Sequence, residues 1–257
     1  MNAQPPAYGL RLKLIPLLVL IAMGVGIPLL AVTLTDLSSK WLHTPGRTPN
    51  GFSLGWMYIQ HTVDFVLALL TIGILKKWFV PADYGLHWPR QKSYILPAVL
   101  WGAFFGVLMT VVDFAPEILA HTKPHLDYPL TTSNAASWLF FEWVYVGPTE
   151  EVPFRALLVT YLIATMPGKF RFGRFEMSWA GLLVALLFAL LHANNFATRP
   201  WPQALGQQFY AVALGVLYAY WLEKSRSVVA ASIGHNVSDG LELAMQYVWV
   251  ASLDCCR

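Results

Sequence analysis

The chain has 257 residues, 56% of them hydrophobic and only 12% charged, with a net charge of +3 and a mean hydropathy of +0.51. Soluble domains usually carry about twice that share of charge, which excludes an ordinary soluble domain. The small positive charge is accounted for by the loops and gives no ground for nucleic-acid binding.

The apolar residues come in long blocks, the pattern of an all-α, polytopic membrane protein forming a single domain over residues 1–257. About seven spans are expected, at 13–35, 56–75, 94–114, 136–166, 177–196, 204–222 and 227–250. The first has the basic flank and apolar core of a signal peptide. That core exceeds twenty residues and lacks a small-residue cleavage site, so an uncleaved span is expected. The fourth is unusually long and is interrupted by Gly147-Pro148. One broken or tilted span is expected there; two helices, and so an eighth element, is the alternative.

Basic residues fall mostly on one side. Arg11 and Lys13, then Lys76, Lys77, Arg90 and Lys92, then Lys169, Arg171 and Arg174, then Lys224 and Arg226 share it, against Lys40, Arg47, Lys123, Arg199 and Arg257 opposite. The positive-inside rule therefore places the N-terminus in the cytoplasm and the C-terminus outside. Cys255 and Cys256 are adjacent, and vicinal cysteines rarely pair, so they leave the redox compartment open.

Ionisable residues concentrate in the C-terminal half of this apolar chain. Span four holds Glu142, Glu150, Glu151 and Arg155, span five His192, and span seven His235, Asp239 and Glu242; the first three spans add only Asp64 and Asp113 among the acids. Residues 1–130 therefore read as scaffold and 134–250 as the part that carries chemistry. An ionised side chain at mid-membrane depth costs roughly 2.5–3.5 kcal/mol, so adjacent acids there need a reason. Arg155 follows Glu151 by four residues and can neutralise one carboxylate along the helix face, leaving the other as a candidate general base. An ion triad that only locks helices is the alternative. Phe188 and His192 share a face one turn apart, as do His235, Asp239 and Glu242, with Asn236 directed elsewhere. A polar stripe lining a cavity without chemistry is the bland reading of the latter.

The ordered set Glu-Glu-x-x-x-Arg (150–155), Phe-x-x-x-His (188–192) and His-x-x-x-Asp (235–239), each on its own apolar span, resembles the CPBP family of intramembrane proteases related to the Rce1 CaaX-processing endopeptidase and to bacteriocin-immunity proteins. The resemblance covers residues 134–242. It implies a glutamate-dependent endopeptidase in which Glu150 with His192 activates a water, Glu151 and Arg155 shape the base, and His235 with Asp239 stabilises the oxyanion. Asp239 stands where the family often has Asn. Either it stays protonated, or it orients His235 and keeps it cationic. Ala156 stands where many relatives have Gly. With straight helices rising about 1.5 Å per residue, His192 and His235 would differ in depth by about 10 Å, so tilt, a break at Gly234 or shifted span ends must bring them together.

The partners implied are a peptide or protein substrate and the bilayer. No cofactor is expected. Zinc held by His192, His235 and a carboxylate is an alternative, although His-Glu-x-x-His is absent. A non-catalytic immunity or binding protein is the other. Substrate identity and oligomeric state are not written in these residues.

Overall fold

A backbone surrounded by lipid must satisfy its own hydrogen bonds, and this chain does so almost wholly as helix. The computed structural model describes residues 8–255 apart from 11, 43–46, 49–50, 91, 125 and 127, and apart from the side chains of 47–48, 51–52 and 254–255. Arg11 and Arg257, the side chains of Arg47 and Cys255, and Cys256 thus lie outside the described residues.

The helices are α1 (Leu14–Leu42), α2 (Leu54–Trp78), α3 (Ile95–Asp113), the short α4 (Ala115–Ala120), α5 (132–165), α6 (Trp179–Leu191), the single turn α7 (Asn195–Thr198), α8 (Trp201–Ser225) and α9 (Val229–Cys255). Among the described residues, β1 (Arg47–Thr48) pairs antiparallel with β2 (Gly51–Phe52), and β3 (Lys169–Phe172) with β4 (Phe175–Ser178). The long helices follow the order of the expected spans. Their ends move, however: α1 runs on to Leu42 and α6 stops at Leu191. Among the described residues, four segments are long and apolar enough to cross a membrane by length and composition: Leu14–Leu42, Leu54–Trp78, Ile95–Asp113 and Trp179–Thr198. The chain is an integral membrane protein, and the exposed aliphatic side chains of α1, among them Ile15, Leu18, Ile21 and Leu29, suit a lipid solvent.

Local sequence explains the helix ends. Ser53 Oγ accepts from Trp56 N–H at 3.2 Å at the start of α2, and Ser178 Oγ accepts from Gly181 N–H at 3.1 Å at the start of α6. Helix α5 stands at the centre, and every residue from Val152 to Val159 is buried.

Helix α3 lies against α9 by a small-residue contact. A Cβ on Gly102 would fall 2.7 Å from the Gly234 carbonyl oxygen, and one on Gly106 would fall 2.7 Å from that of Ser238. Without a hydrophobic force between helices in lipid, such close backbone approach drives association. Gly106→Ala is therefore expected to destabilise the protein by about 1–3 kcal/mol, read as a lower thermal unfolding midpoint in detergent. Gly26→Ala, where a Cβ meets nothing within 4 Å, is the control and should leave the midpoint in place.

Candidate active site

The site begins with what two prolines do to α5. Pro148 has no N–H, so it cannot bond the Val144 carbonyl, and Pro153 likewise cannot bond that of Thr149. Helix α5 absorbs this without breaking: residues Phe141–Tyr145 and Val152–Val159 widen into π-helical turns around the α-helical Val146–Glu151. Such wide turns frequently mark functional sites. The expected interruption at Gly147-Pro148 is thus a continuous helix with altered pitch.

Asn236 on α9 supplies what the helix lost. Its Nδ2 donates to the Val144 carbonyl at 3.2 Å, and its Oδ1 accepts from Gly147 N–H at 2.6 Å. A Cβ at residue 147 would collide with the Ser232 carbonyl and with Asn236 Oδ1. The position set aside in the sequence as facing elsewhere clamps α9 to the turn that carries the acids. It could have been found by asking which side chain answers the carbonyl that Pro148 orphans.

The two acids part company. Glu151 and Arg155 are wholly buried, with Arg155 Nη1 3.1 Å from Glu151 Oε1. The guanidinium lies 4.6 Å from the Phe188 ring, 5.3 Å from Tyr218 and 5.9 Å from Phe154, so aromatic faces complete its surroundings. His235 joins from α9, Nδ1 2.8 Å from Glu151 Oε1. Its Nε2 lies 3.2 Å from Asp239 Oδ2 and 3.7 Å from Glu150 Oε2. Tyr218 stacks on the ring at 5.6 Å, and Ser238 Oγ lies 2.9 Å from Asp239 Oδ1. Both nitrogens of His235 face carboxylates, the setting of an imidazolium.

Glu150 keeps 23% of its side chain exposed, against none for Glu151. Its Oε1 is 3.1 Å from Nε2 of His61, on α2, a residue the sequence reading passed over. His192 caps the end of α6, and its Nδ1 lies 2.9 Å from the Phe188 carbonyl. A carbonyl only accepts, so Nδ1 carries the proton, and a neutral His192 presents the lone pair of Nε2. The Phe188 ring is 4.7 Å from His192 and 6.4 Å from His235. Both histidines thus stand beside the Phe188 ring, and both interact with the Glu150 carboxylate. Helix α6 ends early, at Leu191, while α9 runs unbroken through Gly234.

Six residues singled out in the sequence, Glu150, Glu151, Arg155, His192, His235 and Asp239, thus surround one place. Glu242 interacts instead with Asp113, whose carboxylate accepts from Tyr210 Oη at 2.8 Å and lies 3.6 Å from Arg199. Among the described residues, no group of three or more His, Cys, Asp or Glu side chains is placed to hold a metal ion.

A membrane-embedded helical bundle with a Glu/His cluster in its interior is the class that fold and site define. Residues 132–241 match the family described as type II CAAX prenyl endopeptidase Rce1-like. The match implies a peptide hydrolase. No curated protein and no solved structure matches the chain.

Removing the α9 clamp should be felt in stability. Asn236→Ala leaves the Val144 carbonyl and the Gly147 N–H unpaired and is expected to cost about 1–3 kcal/mol. Thermal unfolding in detergent checks this, and an unchanged midpoint would show that the contact holds nothing.

Proposed function

We propose that the chain is an intramembrane endopeptidase in which Glu150 and His192 activate a water for attack on a peptide carbonyl. One observation carries this reading: of two adjacent acids, one is sealed against Arg155 and His235, while the other is partly exposed and interacts with His192, a histidine that presents a lone pair at Nε2.

The attacking water, held by the Glu150 carboxylate, loses a proton to this Glu150/His192 base as its oxygen bonds to the carbonyl carbon. The carbonyl π pair moves onto oxygen, where the His235 imidazolium supplies compensating positive charge. Asp239 fixes that imidazolium, so Asp rather than Asn at this position leaves oxyanion stabilisation to His235. The proton taken from water passes to the amide nitrogen as the C–N bond breaks. Glu151 and Arg155 touch no reacting atom and hold His235 and the α5 turn in place.

The proposed setting is seven spans with the N-terminus in the cytoplasm and the C-terminus outside, with 134–250 as the catalytic core and a peptide or protein substrate reached near the bilayer surface. Cleavage of a quenched fluorescent peptide library in nanodiscs tests the reading. Glu150→Gln is expected to lower turnover at least about 100-fold while keeping the unfolding midpoint of the wild type; a fully active variant would sink the proposal. Activity that vanishes with a chelator and returns with zinc would instead favour a metalloprotease. A cellular phenotype that survives loss of both Glu150 and His192 would favour the immunity or binding reading.

A further inference from the structure

Helix α2 brings the His61 side chain to the site, and its hydrogen bonds constrain where a proton must be. His61 on α2 is buried, at 6% exposure, with Phe141 edge-on at 4.9 Å. Nδ1 lies 3.0 Å from the Met57 carbonyl, one turn back on its own helix. That carbonyl can only accept, so Nδ1 carries a hydrogen. The neutral ring would then turn a bare Nε2 lone pair toward Glu150 Oε1 at 3.1 Å, and two acceptors do not hold that distance without a proton between them. Around this pair stand further charged or titratable groups: Asp64 on α2, interacting with both Glu150 and His61, Glu142 on α5, His192 at the end of α6, and His235 on α9. The buried Asp64 Oδ1 has no hydrogen-bond partner of its own.

We propose that His61 is a positioning residue for the reaction, an imidazolium that donates from Nε2 to Glu150 Oε1 and keeps that carboxylate ionised and aimed. This rests on the endopeptidase reading and divides its labour. A carboxylate that already accepts the His61 N–H is a weakened base, so Glu150 grips and orients the water through Oε2. The proton from water then goes to the free Nε2 of His192, which returns it to the leaving amine nitrogen; no proton enters or leaves the His61–Glu150 pair over the cycle. The helix read as scaffold thereby completes the base.

Nitrogen-15 NMR on histidine-labelled protein in nanodiscs tests the pair without any substrate, with the His61 signals assigned from their loss in His61→Gln. Wild type is expected to show both ring nitrogens of His61 protonated, and Glu150→Gln to leave only Nδ1 protonated. A wild-type His61 with a bare Nε2 overturns the inference. Turnover of the cleaved library peptides is the second measurement. His61→Ala should lower kcat about 10- to 100-fold with little change in KM, as for loss of one charge-assisted hydrogen bond. His61→Gln, whose amide can still donate to Glu150, should recover most of kcat. Equal kcat in wild type and His61→Ala, with Glu150→Gln inactive, overturns the role of His61 and leaves the endopeptidase reading standing. Activity in Glu150→Gln overturns that reading itself.

Discussion

The burial of the Glu151 carboxylate is the constraint around which this protein is organised. Taking an ionised carboxylate out of water costs several kcal/mol even after relaxation, and Glu151 is fully enclosed. Arg155 meets it from one turn along α5 and His235 from α9, each within 3.1 Å. Arg155 is enclosed in turn by the rings of Phe154, Phe188 and Tyr218, drawn from α5, α6 and α8. A single buried charge therefore fixes four helices relative to one another, and the same His235 that answers it presents its other nitrogen to Glu150 and Asp239.

That constraint explains the unusual backbone of α5. A regular helix with prolines at 148 and 153 would leave carbonyls unanswered inside the bundle, where each unsatisfied polar group is costly. Widened turns and the Asn236 amide absorb the mismatch instead. Because the clamp lies on α9, immediately after His235, the register of α9 against α5 is pinned at the residues that must meet across it. The glycines of α3 pin the opposite face of α9 through Gly234 and Ser238. Helix α3 contributes no side chain to the site, yet its close approach determines where His235 and Asp239 can stand.

Adjacent acids with unlike surroundings allow one pair of residues to do two jobs. Successive helix positions point about 100° apart, so Glu151 turns inward to Arg155 while Glu150 turns toward α2 and the accessible space. In the proposed mechanism, chemistry belongs to the one that water can reach. Structure belongs to the one it cannot.

The amino-acid sequence by itself determined that this is an all-α membrane protein, because hydropathy and helix length depend on composition along the chain alone. It also determined which spans carry the ionisable groups, and the spacing of Glu151 and Arg155 and of Phe188 and His192, since contacts within one helix follow from its 3.6-residue period. What joins different helices was decided only by the tertiary structure. His61 is one histidine among apolar neighbours, with no motif around it until α2 lies against α5; Asn236 acquires a purpose only when the carbonyl freed by Pro148 lies within its reach. Likewise, Glu242 shares a helix face with His235 but turns out to belong with Asp113. Periodicity assigns a residue to a face, whereas its partner is set by helix ends, pitch and close approach, and these arise from packing.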